Sequence, residues 1–154
     1  MTTPIEKLRE YGYELPRPKP PVASYVPVTR SGNTLYISGQ ISANDQGPIT
    51  GRLGDNMNVV QGANAAELAA VNLLSQIVYT AGVELTSVKQ VLKLTVYVAS
   101  TSEFAEHHLV ANGASNLIVG VLGDKGKHAR AAVGMSALPL GAAVEVDAIV
   151  EVES

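Results

Sequence analysis

The stretch ARAAVGMSALPLGAAVEVDAIVEV, residues 129–152, decides how the chain is expected to fold. In its second half Val144, Val146, Ala148 and Val150 fall on one side of an extended strand, and Glu145, Asp147, Ile149 and Glu151 on the other. That alternation describes a strand with one face on a core. The first half sets Ala131, Val133 and Met135 against Arg130, Ala132, Gly134 and Ser136. LPLG, residues 138–141, carries turn chemistry, so strands over 129–137 and 142–152 are expected to form a hairpin. With the larger apolar residues facing the core, Arg130 lands beside the carboxylates, near Asp147 or Ile149, and Glu145 near Ala132 or Gly134. A one-residue slip would put charges in the core. Small residues beside fixed charges leave room for a ligand. The competing reading of the same pattern is a solvated face with a surface ion pair worth under about 1 kcal/mol.

Upstream, the pattern predicts a short helix over 3–12, capped by Thr3 with Pro4 in its first turn and Gly12 past its end. PRPKPP, residues 16–21, is an extended linker. Strands over 24–30 and 33–41 flank a turn at Ser31–Asn33 and form a hairpin. Residues 42–56 are polar and Gly-rich and are expected as a loop. Val59, Val60, Ala63, Ala66, Ala70, Leu73, Leu74, Ile77 and Val78 recur at helical spacing within 57–81, and Gly82 ends that helix. Over 88–99, Leu92, Leu94, Val96 and Val98 oppose Val91, Lys93, Thr95 and Tyr97 in a strand. Ser100 and Glu103 suggest a capping box for a helix over 102–122, which Gly113 and Gly120 weaken. Residues 123–127 read as loop. The sum is an α+β domain: a mixed sheet with two helices on one face, preceded by a short N-terminal helix. Residues 1–21 form a helix and proline-rich linker, and 22–154 a single domain.

Composition narrows function. The 154 residues are 46% hydrophobic and only 16% charged, with a net charge of −3. So uncharged a surface favours homo-oligomers. No basic stripe exists to neutralise phosphates, which argues against a nucleic-acid partner. There is no cysteine, hence no thiolate nucleophile, disulfide or cysteine-ligated metal. The N-terminus lacks the apolar segment of a signal peptide, and no stretch is long and apolar enough to span a membrane. A cytoplasmic protein without a membrane partner is expected. His107 and His108 are neighbours on a helix and do not easily share one metal, and the acids show no metal spacing. His128, two residues from Arg130, is a minor candidate for the same cleft.

HARAAVGMSALPLGAAVEVDAIV, residues 128–150, resembles the C-terminal signature of the Rid family of reactive intermediate deaminases, also called YjgF-like or L-PSP endoribonuclease-like proteins. LYISGQI, residues 35–41, resembles its N-terminal hairpin, and VKQVLKLTVYVASTSEFAE, residues 88–106, its middle strand and following helix start. The matches are collinear over residues 22–152. The resemblance implies a chorismate-mutase-like fold and a homotrimer with ligand clefts between subunits. It implies hydrolysis of enamine or imine intermediates such as 2-aminoacrylate to 2-keto acids and ammonia, with no metal or organic cofactor. It places the carboxylate-binding arginine at Arg130, the water-positioning acid at Glu145, the pocket tyrosine at Tyr25, and the Ser-Gly pair at Ser38 and Gly39. The chain departs from the pattern at Ala132, where many active members carry Cys, in its N-terminal helix and linker, and in a longer 104–130 segment. These departures mark a divergent, chorismate-mutase-like branch.

Those residue types suit the chemistry. A guanidinium binds a carboxylate through two parallel bonds, which an ammonium cannot match. A carboxylate can take a proton from water and return it to a departing amine. A glycine lets a ligand approach the backbone. The alternative is a module that binds a keto acid or amino acid without turning it over. A ribonuclease reading lacks a basic path and a histidine pair.

Overall fold

The computed structural model describes residues 2–21 and 23–154. The expected start of the domain, Val22, lies outside the described residues, as does Met1. Helix α1 spans Pro4–Glu10, with the Thr3 side chain accepting from the Glu6 N–H at 3.1 Å. Strands β1 (Val28–Ser31) and β2 (Thr34–Ile41) form the expected hairpin about Gly32, whose φ of 58° suits glycine. The segment expected as loop carries a small hairpin, β3 (Ala43–Asn44) and β4 (Gly47–Pro48), and buries Leu53.

Helix α2 (Val59–Ser75) begins at a reciprocal Asn58–Gln61 capping box and continues as a π turn through Thr80. Gly82 follows with φ 68°. Strand β5 (Val88–Ala99) bears a register shift between Val91 and Lys93. That bulge reverses the expected alternation at its start: Val91 is buried and Leu92 is exposed. Helix α3 starts at His107, five residues later than expected, and ends at Leu122 as expected. Ser100 makes no cap; its hydroxyl meets His107 Nε2 at 3.2 Å. Gly113 and Gly120 do not interrupt α3. A Cβ on Gly113 would fall on the Ala63 carbonyl oxygen of α2, and one on Gly120 on the Tyr11 hydroxyl. Both glycines therefore serve close packing.

Strands β6 (Ala129–Met135) and β7 (Val144–Val152) do not form a hairpin. The five-stranded sheet has the order β1-β2-β7-β5-β6. Strand β6 runs parallel to β5, joined to it by α3, and β7 inserts antiparallel between β2 and β5. The physical reason lies in the connection. Residues 136–143 are too many for a tight hairpin, and they cross β5 through a turn at Pro139–Gly141. A strand–helix–strand order with a long helix is also what a parallel pair needs.

The mixed sheet stacks its apolar face on α2 and α3. Leu35, Ile37, Leu94, Val96, Val98, Val144, Val146 and Val150 form the sheet half of the core. Ala65, Ala66, Ala69 and Ala70 let α2 approach closely. No helix among the described residues is long and apolar enough to cross a membrane.

Candidate functional site

The true neighbours of β6 invert its faces. Paired residues in a ladder share a face, and Arg130 pairs with Leu94, Ala132 with Val96, and Gly134 with Val98, all core residues of β5. Arg130, Ala132 and Gly134 therefore face the helices, while Ala131, Val133 and Met135 share the opposite face with Glu145 and Asp147. The expectation that Arg130 sits beside Asp147 or Ile149 is overturned, and so is the expectation that Glu145 lies near Ala132 or Gly134. Residues 129–135 have too little apolar contrast for alternation to choose the core side.

Arg130 lies at the sheet edge and reaches α3. Its Nη1 donates to Asn112 Oδ1 at 2.9 Å and to Ser115 Oγ at 3.1 Å, and its Nη2 donates to the His108 carbonyl at 3.3 Å. His108, Asn112 and Ser115 stand at i, i+4 and i+7, one face of the helix. A guanidinium has five N–H donors. Nε–H and one Nη2 hydrogen thus have no partner among the described residues. No carboxylate there lies within ion-pair distance of Arg130; the ion pairs are Arg9–Glu14 and Lys127–Asp124. A cation fixed by neutral groups, with donors left over, suits an anionic ligand.

Glu145 is half-buried on the other face, paired with Tyr97 of β5 and Ile41 of β2. Between Ile37 and Gln40 the β2–β7 register shifts, and Ser38 and Gly39 form that irregularity. A Cβ on Gly39 would fall on Glu145 Oε2, so any side chain there would displace the Glu145 carboxyl. Ser38 donates to the Val26 carbonyl at 3.0 Å, tying the bulge to the segment that carries Tyr25. Burial raises the proton affinity of Glu145, and the nearby Asp147 charge raises it further. Asp147 accepts from the Tyr97 hydroxyl at 2.8 Å. Burial and that hydrogen bond push the Tyr97 phenol up.

Ser38, Gly39 and Glu145 thus gather at one place. Tyr25 is about half exposed and lines a groove of about 1120 Å³ between the proline-rich arm and α2, together with Tyr13, Gln40, Asn72, Gln76 and Leu140. None of the other four candidates lines that groove. Arg130 stands apart from Glu145. They lie two strands and three residue rows away from each other, about 10 Å in each direction, on opposite faces. One small ligand cannot touch both within one chain.

Sequence reasoning passed over Asn112 and Ser115, whose signal was their helical spacing from His108. It gave His128 little weight. His128 Nε2 meets Ser115 Oγ at 2.9 Å, so His128 and Arg130 converge on one hydroxyl. Among the described residues no group of three His, Asp or Glu side chains could hold a metal ion.

Comparison with known proteins fits this architecture. The chain is 46% identical over 149 residues to Protein TCP17 of Trypanosoma cruzi, covering 96% of this chain and 92% of that one. A protein of unknown function from Agrobacterium tumefaciens, Atu1372, superposes with a TM-score of 0.92 at 48% identity, covering 98% and 94% of the two chains. A Shewanella oneidensis structure described as a "putative endoribonuclease" gives a TM-score of 0.91 at 30% identity, covering 98% and 100%. RidA from an Antarctic Psychrobacter lies further off, with a TM-score of 0.57 at 28% identity, covering 86% and 92%. Residues 16–152 match the sequence profile described as Endoribonuclease L-PSP. With that match across nearly the whole chain, and a chorismate-mutase-like fold beneath it, this protein belongs to the endoribonuclease L-PSP family, also known as the YjgF/Rid family.

Proposed function

We propose that the protein is an enamine/imine deaminase that hydrolyses small 2-imino acids of the 2-aminoacrylate type to 2-keto acids and ammonia. The observation that carries this is Arg130, a cation with no acidic partner and two N–H donors without partners among the described residues. In the proposed reaction those donors bind the substrate carboxylate. Water adds to C2 of the protonated imine, and Glu145 takes a proton from that water. Glu145 returns that proton to the carbinolamine nitrogen, the C–N bond then breaks with loss of ammonia, and the hydroxyl proton passes to Glu145 as the C2 carbonyl forms. The products are the keto acid and ammonia, which takes up the remaining proton as ammonium. The raised proton affinity of Glu145 suits an acid–base that works near neutral pH.

Because Arg130 and Glu145 cannot meet within one chain, the reading requires a second copy that brings its Glu145 face to the Arg130 edge, as in a homotrimer with sites between subunits. Tyr36 and Val133, 46% and 38% exposed, leave apolar surface on the Glu145 face for such a contact. Ser38, Gly39 and Tyr25 would form the wall of the cleft.

The test is keto-acid formation from an imine generated in place by a serine dehydratase. Wild type is expected to accelerate it, and Arg130→Ala to lose about 100-fold or more in kcat/KM. Mixed oligomers of Arg130→Ala with Glu145→Ala chains should regain activity, since about one site in three of a mixed trimer then has both groups intact. No acceleration with any small imine would overturn the deaminase. Acceleration without complementation would overturn the shared site. Cleavage of RNA that Glu145→Gln abolishes would instead support the activity for which the family is named.

A further inference from the structure

Arg130 is held by more than α3. His128 Nδ1 lies 2.6 Å from the Gly126 carbonyl, which can only accept, so Nδ1 carries the hydrogen. Nε2 of the neutral ring is then an acceptor, and it takes the Ser115 hydroxyl hydrogen at 2.9 Å. That leaves the Ser115 oxygen to accept from Arg130 Nη1 at 3.1 Å. Every hydrogen in the chain Arg130–Ser115–His128–Gly126 therefore has one direction. The far end is fixed too. Gly126 is buried, and a Cβ there would meet the Ile118 carbonyl oxygen of α3 at 2.6 Å, so the chain at Gly126 packs directly on the helix backbone. Asn112 takes the second Nη1 hydrogen at 2.9 Å.

We propose that Ser115 and His128 are positioning residues, which fix the plane of the Arg130 guanidinium so that its remaining N–H donors meet a planar carboxylate. The inference rests on the reading of Arg130 as the carboxylate anchor and extends it to residues that touch no substrate. An arginine carries several rotatable bonds, and holding it in one orientation before binding lowers the ordering cost of the complex. Nη1 is tied at both hydrogens, so rotation about its bond to Cζ breaks two hydrogen bonds at once. The ligand class that such a fixed fork selects is a planar 2-oxo or 2-imino carboxylate rather than a tetrahedral anion.

The experiment uses the full-length oligomer with 2-oxobutanoate as probe. Calorimetry should give Ser115→Ala a Kd about 10-fold weaker than wild type. Its kcat in the imine assay should stay within about threefold, because carboxylate binding is the same in ground and transition states. Ser115→Thr, which keeps the hydroxyl, should restore binding to within about threefold. His128→Ala should weaken binding like Ser115→Ala, and the double variant should be no worse than either alone, since one chain is cut. Independently of any ligand, side-chain nitrogen NMR should show slow rotation of the Arg130 Nη1 group in wild type and faster rotation in Ser115→Ala. Unchanged rotation and binding in both single variants, with melting temperature and oligomer size preserved, would overturn the proposal. If wild type fails to bind 2-oxobutanoate, the carboxylate reading of Arg130 falls, and the rotation measurement still decides whether Ser115 and His128 fix it. Should Ser115→Ala lose its fold, His128→Gln carries the same comparison.

Discussion

Two charged regions of this molecule are built on opposite terms. Around Arg130 three neutral groups of α3 accept hydrogen bonds, and the cation is fixed. Around Glu145 the neighbours are a glycine pressed to its carboxyl and a second acid, and its side chain makes no hydrogen bond among the described residues. A fixed ion surrounded by dipoles serves as an anchor, because its geometry is set before anything binds. An ion with raised proton affinity and no fixed partner suits proton transfer, because burial and a neighbouring acid make it hold a proton more readily than an ordinary carboxylate does. In the proposed reaction the contrast separates binding from chemistry across the two faces of one sheet.

The largest expected effect breaks the Glu145 side. Glu145→Gln should lower imine turnover about 1000-fold, yet raise the melting temperature at pH 7. The folded-state proton affinity of Glu145 is raised, so ionising it costs stability as pH rises from the ordinary carboxylate value through the raised one. At pH 7 wild type carries that cost and the glutamine variant does not. Below about pH 4, where the carboxyl is protonated in both folded and unfolded chains, the two melting curves should converge. A variant less stable than wild type at pH 7 would mean that Glu145 holds the fold. By the same shift, the acid limb of wild-type kcat should lie above the ordinary glutamate range.

A smaller effect sharpens the Arg130 side. Arg130→Lys keeps the charge but loses the planar fork, and should lower kcat/KM about 30-fold, chiefly through KM, as steady-state kinetics would show. A loss carried by kcat alone would move Arg130 from anchor to chemistry.

The smallest effect tests how the two acids interact. Tyr97→Phe removes the donor that steadies the Asp147 charge. Without that donor the Asp147 charge faces Glu145 less screened, so the proton affinity of Glu145 should rise a little and the acid limb of the kcat pH profile move slightly upward, with plateau activity changed less than about twofold. No movement would show that burial alone, and not the Asp147 charge, sets Glu145.

Much of this fold was legible because its signals are local. The β1–β2 hairpin, the end of α2 at Gly82 and the cap at Thr3 each depend on a few adjacent residues. The pairing of β6 was not legible, because alternation assigns a residue to a face but does not say which strand lies alongside. In residues 129–135 it could not assign the face either, since Ala131 and Ala132 differ in nothing that a core selects. The bulge at Leu92 and the late start of α3 were missed because tertiary contacts, not propensity, set them. For the site, the resemblance carried Arg130, Glu145, Ser38 and Gly39 as a set, and the fold divides that set between two faces. The residues that hold Arg130 were hidden because they come from α3 and the turn that follows it. Only three-dimensional proximity joins His128 to Asn112 and Ser115 as one support.

The place of β7 has a consequence for how the chain is made. The last strand in sequence is the middle strand of the sheet, bonded to β2 on one side and β5 on the other. Until residues 144–152 have left the ribosome, the β1–β2 hairpin and the β5–α3–β6 unit have no strand to join them. Both must wait with their pairing edges and half of their core exposed. The emergence of residues 144–152 is therefore the decisive folding event, and a nascent chain stalled before Val144 would expose the unpaired edges of both units.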